Sequence, residues 1–453
     1  MKGANNISRI ALLTVIMTSV WMTSAEASGT NLSAWQKQLT PAGQGTVLKI
    51  YPQDSTVSLE ESTLEKVESI LFPQIFQDGP RDMEMINKQY PVKASHFTKV
   101  NPGSREFSAV HAYAVTRLVF NMWRSSLQII QSAFPQDTRL NAVIQYWDSL
   151  PYKSLNIYPY GIKDVKNAYY CRQLVPGRTG NNFECELKFG YFRTSATHQV
   201  ATCEETDIVA HEASHAALDR MRPSFYDTQK VQTAALHEAV GDLGAFFYVI
   251  SNPRMAAALV TATTNDLHSK KNFAAHLAEE FGSALGLSNG LRNIDDDLTM
   301  SEVSDEPHEA SQVVSGACFD AFASAFKEAY MKKVAENPDT THLLQLTGKY
   351  AHLLITHAVA TVESDEPSFS DLAKKIVQLS KRYKKSPPAI VSYVSDLDWK
   401  KYFKDEFKRR GVALRGEEDQ TVHTFQGKKS ICGMQQRLRH IPQVFVYDEE
   451  DED

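Results

Sequence analysis

Long apolar runs are scarce in this chain of 453 residues. After residue 22 no stretch is long enough to cross a bilayer as a helix, which takes about 20 apolar residues; a soluble, folded body is expected. Paired cysteines at metal-binding spacing are missing as well. Cys171, Cys185, Cys203, Cys318 and Cys432 contain no C-x-x-C, which argues against a structural zinc site. Five is an odd number, so at least one thiol is free or intermolecular. Cys171 and Cys185 flank the turn-forming run Pro176-Gly177-Arg178-Thr179-Gly180-Asn181, and a bridge across that hairpin is the expectation. An excess of positive charge is lacking too. Lys and Arg number 48 against 54 Asp and Glu, and Asp448 to Asp453 form an unbroken acidic end, read as a solvated tail. That balance argues against nucleic acid as a partner. Internal repeats are absent. The hydrophobic content of 42% is that of an ordinary globular protein.

What is present begins with an export signal. Lys2 and Arg9 precede an apolar core from Ile10 to Met22, and Ala25-Glu26-Ala27 forms an A-x-A cleavage site. Residues 1–27 therefore read as a signal peptide, with a secreted or periplasmic product and no transmembrane anchor in the mature chain. Residues 28–100, punctuated by Pro52, Pro73 and Pro80, carry no assignable chemistry. A helix is expected from about Phe107, with Val110, Tyr113, Leu118 and Met122 at helical spacing. Residues 140–200 are rich in Tyr, Phe, Val and Asn and read as strands. From Thr206 onward nearly everything reads as helix, and the last clear one starts at Ser368 with Asp371 in a capping-box arrangement. Ser386-Pro387-Pro388 ends it. The chain thus divides into a strand-rich lobe at 101–215, a helical lobe at 216–386, and a C-terminal extension at 387–453.

The chemistry concentrates in two short segments. His211-Glu212-Ala213-Ser214-His215 spells H-E-x-x-H within a helical stretch, so both imidazoles lie on one face and can reach one metal ion. Glu212 sits one position round, near enough to a metal-bound water to act as general base. Glu238 follows His215 by 23 residues, in Ala235-Leu236-His237-Glu238-Ala239-Val240-Gly241-Asp242-Leu243. A catalytic zinc takes three protein ligands and leaves one open position, and Glu238 supplies the third. Asp242, one turn on, is set to accept a hydrogen bond from the second ring nitrogen of His211 and fix its tautomer. Carboxylates among so many small and apolar neighbours need partners. His237 projects about 100° away from Glu238 and is expected either behind the ligands or at the surface.

These two motifs, with Asp207-Ile208-Val209-Ala210 leading in, resemble the thermolysin-like zinc metallopeptidases of the gluzincin group. The resemblance runs from about residue 107 to 383. It implies an α+β fold of two lobes, strand-rich then helical, with the H-E-x-x-H helix between them. It also implies a zinc-dependent endopeptidase acting on peptides or proteins. Asn167-Ala168-Tyr169-Tyr170 resembles the family's edge strand, where Asn167 and Ala168 would hold substrate backbone. Tyr226 stands where the family has an oxyanion-binding Tyr, Arg292 resembles its carbonyl-gripping Arg, and Glu306-Pro307-His308 resembles the segment bearing the transition-state His. Pro307 suits the first position of a helix, with His308 at its N-terminus.

Two departures stand out. Val249 replaces a carboxylate of the family's paired calcium site, so the double site is not evident and Asp207 and Asp295-Asp296-Asp297 are left as calcium candidates. Val303 replaces the acidic partner of the transition-state His, leaving Asp305 or Glu302 to substitute. Rival readings are a gluzincin exopeptidase, for which no G-x-M-E-N motif is found, and a catalytically weak peptide-binding protein on the same fold. A long pro-segment does not fit in front of the strand-rich lobe. Latency would then have to come from the short front segment, or from the extension through packing of its Lys400-Lys401-Tyr402-Phe403-Lys404 run near Asp295–Asp297, and an enzyme active soon after export is the expectation.

Overall fold

The computed structural model describes residues 46–53, 68–72, 85–90, 92, 99–149, 155–174, 183–195, 198–278, 282 and 291–414. The signal-like residues 1–27, the turn at 176–181, Cys432 and the acidic tail lie outside them. The described chain is α+β. Strands β1 (Thr46–Ile50) and β2 (Glu68–Phe72) form an antiparallel pair. The main sheet contains β3 (Met85–Asn87), β4 (Leu155–Lys163), β5 (Ala168–Leu174), β6 (Phe183–Arg193) and β7 (Gln199–Ala201). Its order is β3-β4-β6-β5, with β3 and β4 parallel to their neighbours and β5 antiparallel to β6. β7 pairs with Tyr191–Arg193, beyond the reach of β5, so β5 is an edge strand.

Helix α1 (Arg105–Ala133) starts where the Ser104 hydroxyl accepts a hydrogen bond from Phe107 N–H at 3.1 Å. Helix α2 (Thr138–Ser149) corrects the expectation of strands from residue 140. Its aromatic and branched residues favour strands by composition, yet Leu140, Ile144 and Trp147 are buried at helical spacing. Burial of one helical face outweighs the weaker β preference of single residues.

Helix α3 (Thr206–Met221) follows the strands, and every residue in it but Ile208 is buried. Asp207 in its first turn and Arg220 in its last suit the helix dipole, and Pro223 opens the short helix α4 (Pro223–Tyr226) just after it. α3 packs against α5 (Val231–Ser251), which is buried along its whole length except Ser251. Glycines permit the close approach. A Cβ on Gly241 would lie 2.6 Å from His211 Cε1, and one on Gly244 would lie 2.0 Å from Ser214 Oγ. Asn252 then caps α6 (Pro253–Thr263), accepting from Arg254 N–H at 2.9 Å. Among the described residues no single helix is long and apolar enough to cross a membrane; α5 and α6 pass only as a pair bent by 94°.

A short antiparallel ladder, β8 (His276–Leu277) with β9 (Arg292–Asn293), precedes α7 (Pro307–Lys333). Helices α8 (Thr340–Thr361), α9 (Phe369–Lys385) and α10 (Trp399–Arg409) follow among the described residues. α9 has a full capping box: Ser368 Oγ accepts from Asp371 N–H, and Asp371 accepts from Ser368 N–H. Beyond Pro387 the chain stays in contact with the helices before it up to residue 414. Val391, Val394, Leu397, Trp399, Phe403, Phe407 and Val412 are buried in the same core as α8 and α9, and Trp399 stacks on Tyr350 at 4.4 Å. The front segment is likewise attached. Tyr51 N–H donates to His111 Nδ1 at 3.1 Å, and its carbonyl accepts from the Thr206 hydroxyl at 2.6 Å.

The hairpin disulfide is corrected by register. Arg172, not Cys171, faces Cys185 across the β5–β6 ladder, so the two cysteines point to opposite faces of the sheet. Cys185 is a free buried thiol, and Cys171 is disulfide-bonded elsewhere.

Candidate metal centre

His211 and His215, one turn apart on α3, face Glu238 from α5. The nitrogen Nε2 of His211 lies 3.4 Å from Glu238 Oε2, and that of His215 lies 3.5 Å from Oε1. All three side chains are buried, and their ligand atoms lie within 4.8 Å of one another. Neither Glu238 Oε2 nor His215 Nδ1 makes a hydrogen bond. Two histidine nitrogens and a carboxylate gathered in one buried place are a donor set that fits a metal ion. Burial pushes the Glu238 carboxyl up, but the charges of His308 and His215 and the His211 contact hold it well below the usual carboxylate range.

Support for the triad comes from α5 and β9. Asp242 Oδ1 lies 2.9 Å from His211 Nδ1 and accepts from Arg292 Nη2 at 2.7 Å. Arg292 Nη2 is also 3.1 Å from His211 Nδ1. Burial and the Arg292 charge push His211 down, while Asp242 and Glu238 push it up and prevail, to about 9. Gly241 is what admits the imidazole against α5, a role its place in H-E-A-V-G-D did not advertise. His237 is fully buried, not exposed, and stacks on His215 at 4.5 Å between ring centres.

The edge strand β5 reaches the site through its backbone. Tyr170 N–H donates to Glu212 Oε2 at 2.8 Å, which fixes the carboxylate between α3 and the strand. The Tyr170 hydroxyl donates to Asp219 at 2.6 Å, and Arg172 Nη1 pairs with Asp219 at 3.0 Å. Burial raises Asp219 to about 6 despite the Arg172 charge. Asp219 lies one turn beyond His215, a spacing that marked it as facing the same way. Asn167 stands just ahead of β5, where its carbonyl accepts from Gly190 N–H at 2.8 Å, and Ala168 opens the strand opposite Phe189.

Two expectations change here. Tyr226 does not turn toward the triad: its hydroxyl accepts from Arg172 N–H at 3.0 Å, and its ring lies edge-on to His237. The partner of His308 is neither Asp305 nor Glu302 but Glu306, whose Oε1 is 2.7 Å from His308 Nδ1. Glu306 also caps α7, accepting from Glu309 N–H, so its place immediately before Pro307 was the available signal. His308 Nε2 in turn lies 3.3 Å from Glu238 Oε2. Burial lowers His308, but Glu238 and Glu306 raise it more, and the imidazole is held above its ordinary value.

Three of the four calcium candidates, Asp207, Asp295 and Asp297, meet protein donors, and Asp295 also lies with His268 and Asp320 in a group that could hold a metal ion. Asp207 Oδ2 accepts from Ala278 N–H at 2.6 Å. Asp295 pairs with His268 at 2.6 Å, Asp297 with Arg409 at 2.8 Å, and Asp320 with Arg410 at 2.7 Å. The basic residues that reach this acidic loop are therefore Arg409 and Arg410, not Lys400–Lys404. Trp399, Phe403 and Phe407 turn one face of α10 into the core and direct those lysines elsewhere. No protein-family model matches the sequence, and no curated protein matches it.

Proposed function

We propose that this chain is a secreted or periplasmic zinc endopeptidase of the thermolysin-like, two-lobed kind, with peptides or proteins as substrates. One observation carries the reading: His211 and His215 meet Glu238 at N–O separations of 3.4 and 3.5 Å. Ligands about 2.0–2.1 Å from a tetrahedral zinc stand about 3.3–3.4 Å apart. The bound zinc supplies a Lewis acid for the scissile carbonyl and a lowered pKa for water. Glu212, braced by Tyr170 N–H, takes the proton of the attacking water and returns it to the leaving amine. His308, held by Glu306, donates a hydrogen bond to the developing oxyanion. An extended peptide lies along the open start of β5, at Asn167 and Ala168, as strands add to a free sheet edge. Arg292, bonded to Asp242 at 2.7 Å and 3.1 Å from His211 Nδ1, orients a substrate carbonyl.

The Tyr226 hydroxyl favours a second reading, a peptide-binding protein of weak turnover, because it accepts from Arg172 N–H and its own proton is directed to Cys171 Sγ at 3.9 Å, away from the role of oxyanion donor. Metal analysis with a casein digestion assay, run with and without chelator, separates the two. About one zinc per chain and digestion that chelation abolishes and zinc restores support the peptidase. Bound zinc without digestion supports the weaker binder, and absence of zinc overturns both.

A further inference from the structure

The segment after Pro388 carries a buried cation that touches the loop between two site residues. Arg410 is fully buried. Its Nη1 donates to Leu298 O at 2.9 Å and its Nη2 to Asp296 O at 2.6 Å, while Nη2 also pairs with Asp320 at 2.7 Å. Its own carbonyl accepts from Met300 N–H at 2.9 Å. The guanidinium lies against Gly316, where an added Cβ would come within 2.6 Å of Nη1. Gly411, at φ +80°, then turns the backbone away beside Met300.

These contacts clasp residues 296–300 from the side chain and from the backbone at once. Arg292 lies four residues before that stretch and is bonded to Asp242 and His211. His308 lies eight residues after it, on the same helix as Gly316 and Asp320. One guanidinium thus joins α10, α7 and the connecting loop. Five donors in a planar fork suit that task, and a lysine could satisfy only part of it.

We propose that Arg410 is a positioning residue that sets Arg292 and His308 against the metal triad, making the C-terminal segment part of the active apparatus; this rests on the peptidase reading for its effect on turnover. The test measures backbone hydrogen exchange, zinc content and steady-state kinetics on the full chain, in the wild type and in Arg410→Lys and Gly316→Ala. In the wild type, Met300 N–H is expected to exchange as slowly as the amides of α10. In the variants, exchange across 294–303 is expected to rise at least about tenfold while α3 and α5 keep their protection and the zinc. The rate constant kcat is expected to fall roughly 10- to 100-fold, since small misplacements of orienting groups are that costly, with Lys retaining more than Ala at Gly316. Fast exchange of Met300 in the wild type overturns the proposal whether or not either variant folds. So does unchanged loop exchange in a folded variant, or a rise spread evenly over the molecule. If the wild type hydrolyses nothing, the peptidase reading fails while the exchange data still decide the clasp.

Discussion

Asp242 serves two neighbours with one oxygen: Oδ1 meets His211 Nδ1 at 2.9 Å and Arg292 Nη2 at 2.7 Å. Burial raises the carboxyl, but Arg292 and His211 hold it below its ordinary value, so it stays an acceptor for both. Removing it takes away the group that orients His211 and leaves the Arg292 charge beside a metal ligand with no counter-charge at that position. Asp242→Ala is therefore expected to weaken zinc affinity about 10- to 100-fold, read by competition against a chromogenic chelator. Wild-type affinity together with wild-type turnover would remove Asp242 from the account. Glu306 teaches a related lesson at this scale. One oxygen caps α7 and the other holds His308, so a residue that looks like an ordinary N-cap also orients a site imidazole.

At the scale of elements, the α3–α5 contact sets the distance between His211, His215 and Glu238. Gly241 and Gly244 lie three residues apart and present bare backbone to α3. In an exposed helix, Gly→Ala gains about 1 kcal/mol of propensity. At Gly241 the new methyl would stand 2.6–2.9 Å from three atoms of the His211 ring, so the ring or the helix must move. Gly241→Ala is expected to lower zinc affinity at least about tenfold and to reduce stability by roughly 1–3 kcal/mol. Isothermal titration and thermal melts check both, and a stabilised variant with intact zinc binding would contradict the packing argument.

The same elements explain what the sequence made legible. The pairs His211/His215 and Glu238/Asp242 sit at i and i+4 on continuous helices, where periodicity alone fixes which face they share. The start of α7 at Pro307 and the capping box of α9 were readable for equally local reasons. The bond from Tyr226 to Arg172, the sheet register that parts Cys171 from Cys185, and the clasp of Arg410 all join residues distant in sequence. No local spacing encodes them. Helix α2 was obscured because its composition favours strands while tertiary burial decides the outcome.

Across the whole molecule, buried histidines tie stability to pH. Burial pushes His111 down to about 3 and His357 to about 4, from an ordinary value of 6.5. His111 must stay neutral, since Nδ1 accepts from Tyr51 N–H and links the front segment to α1. Folded values below unfolded ones mean that these groups contribute full stability above pH 6.5, lost as pH falls toward 4 and 3. Asp219, raised to about 6, acts oppositely down to its unfolded value near 3.9. His352, buried and held well below its ordinary value, acts with His111 and His357, and together these histidines outweigh Asp219, so stability falls as pH drops from 6 to 4. Metal-free protein is expected to melt at steadily lower temperature over that range in calorimetry; a flat or rising melting temperature would contradict the assignment. The central claim is that a metal held by His211, His215 and Glu238 works with Glu212 as the proton carrier. Glu212→Gln tests it most directly, because the amide fills the same space and ligates nothing new. The variant is expected to retain about one zinc per chain and to lose at least about 10²-fold in casein hydrolysis. Near wild-type hydrolysis by zinc-loaded Glu212→Gln would contradict the account.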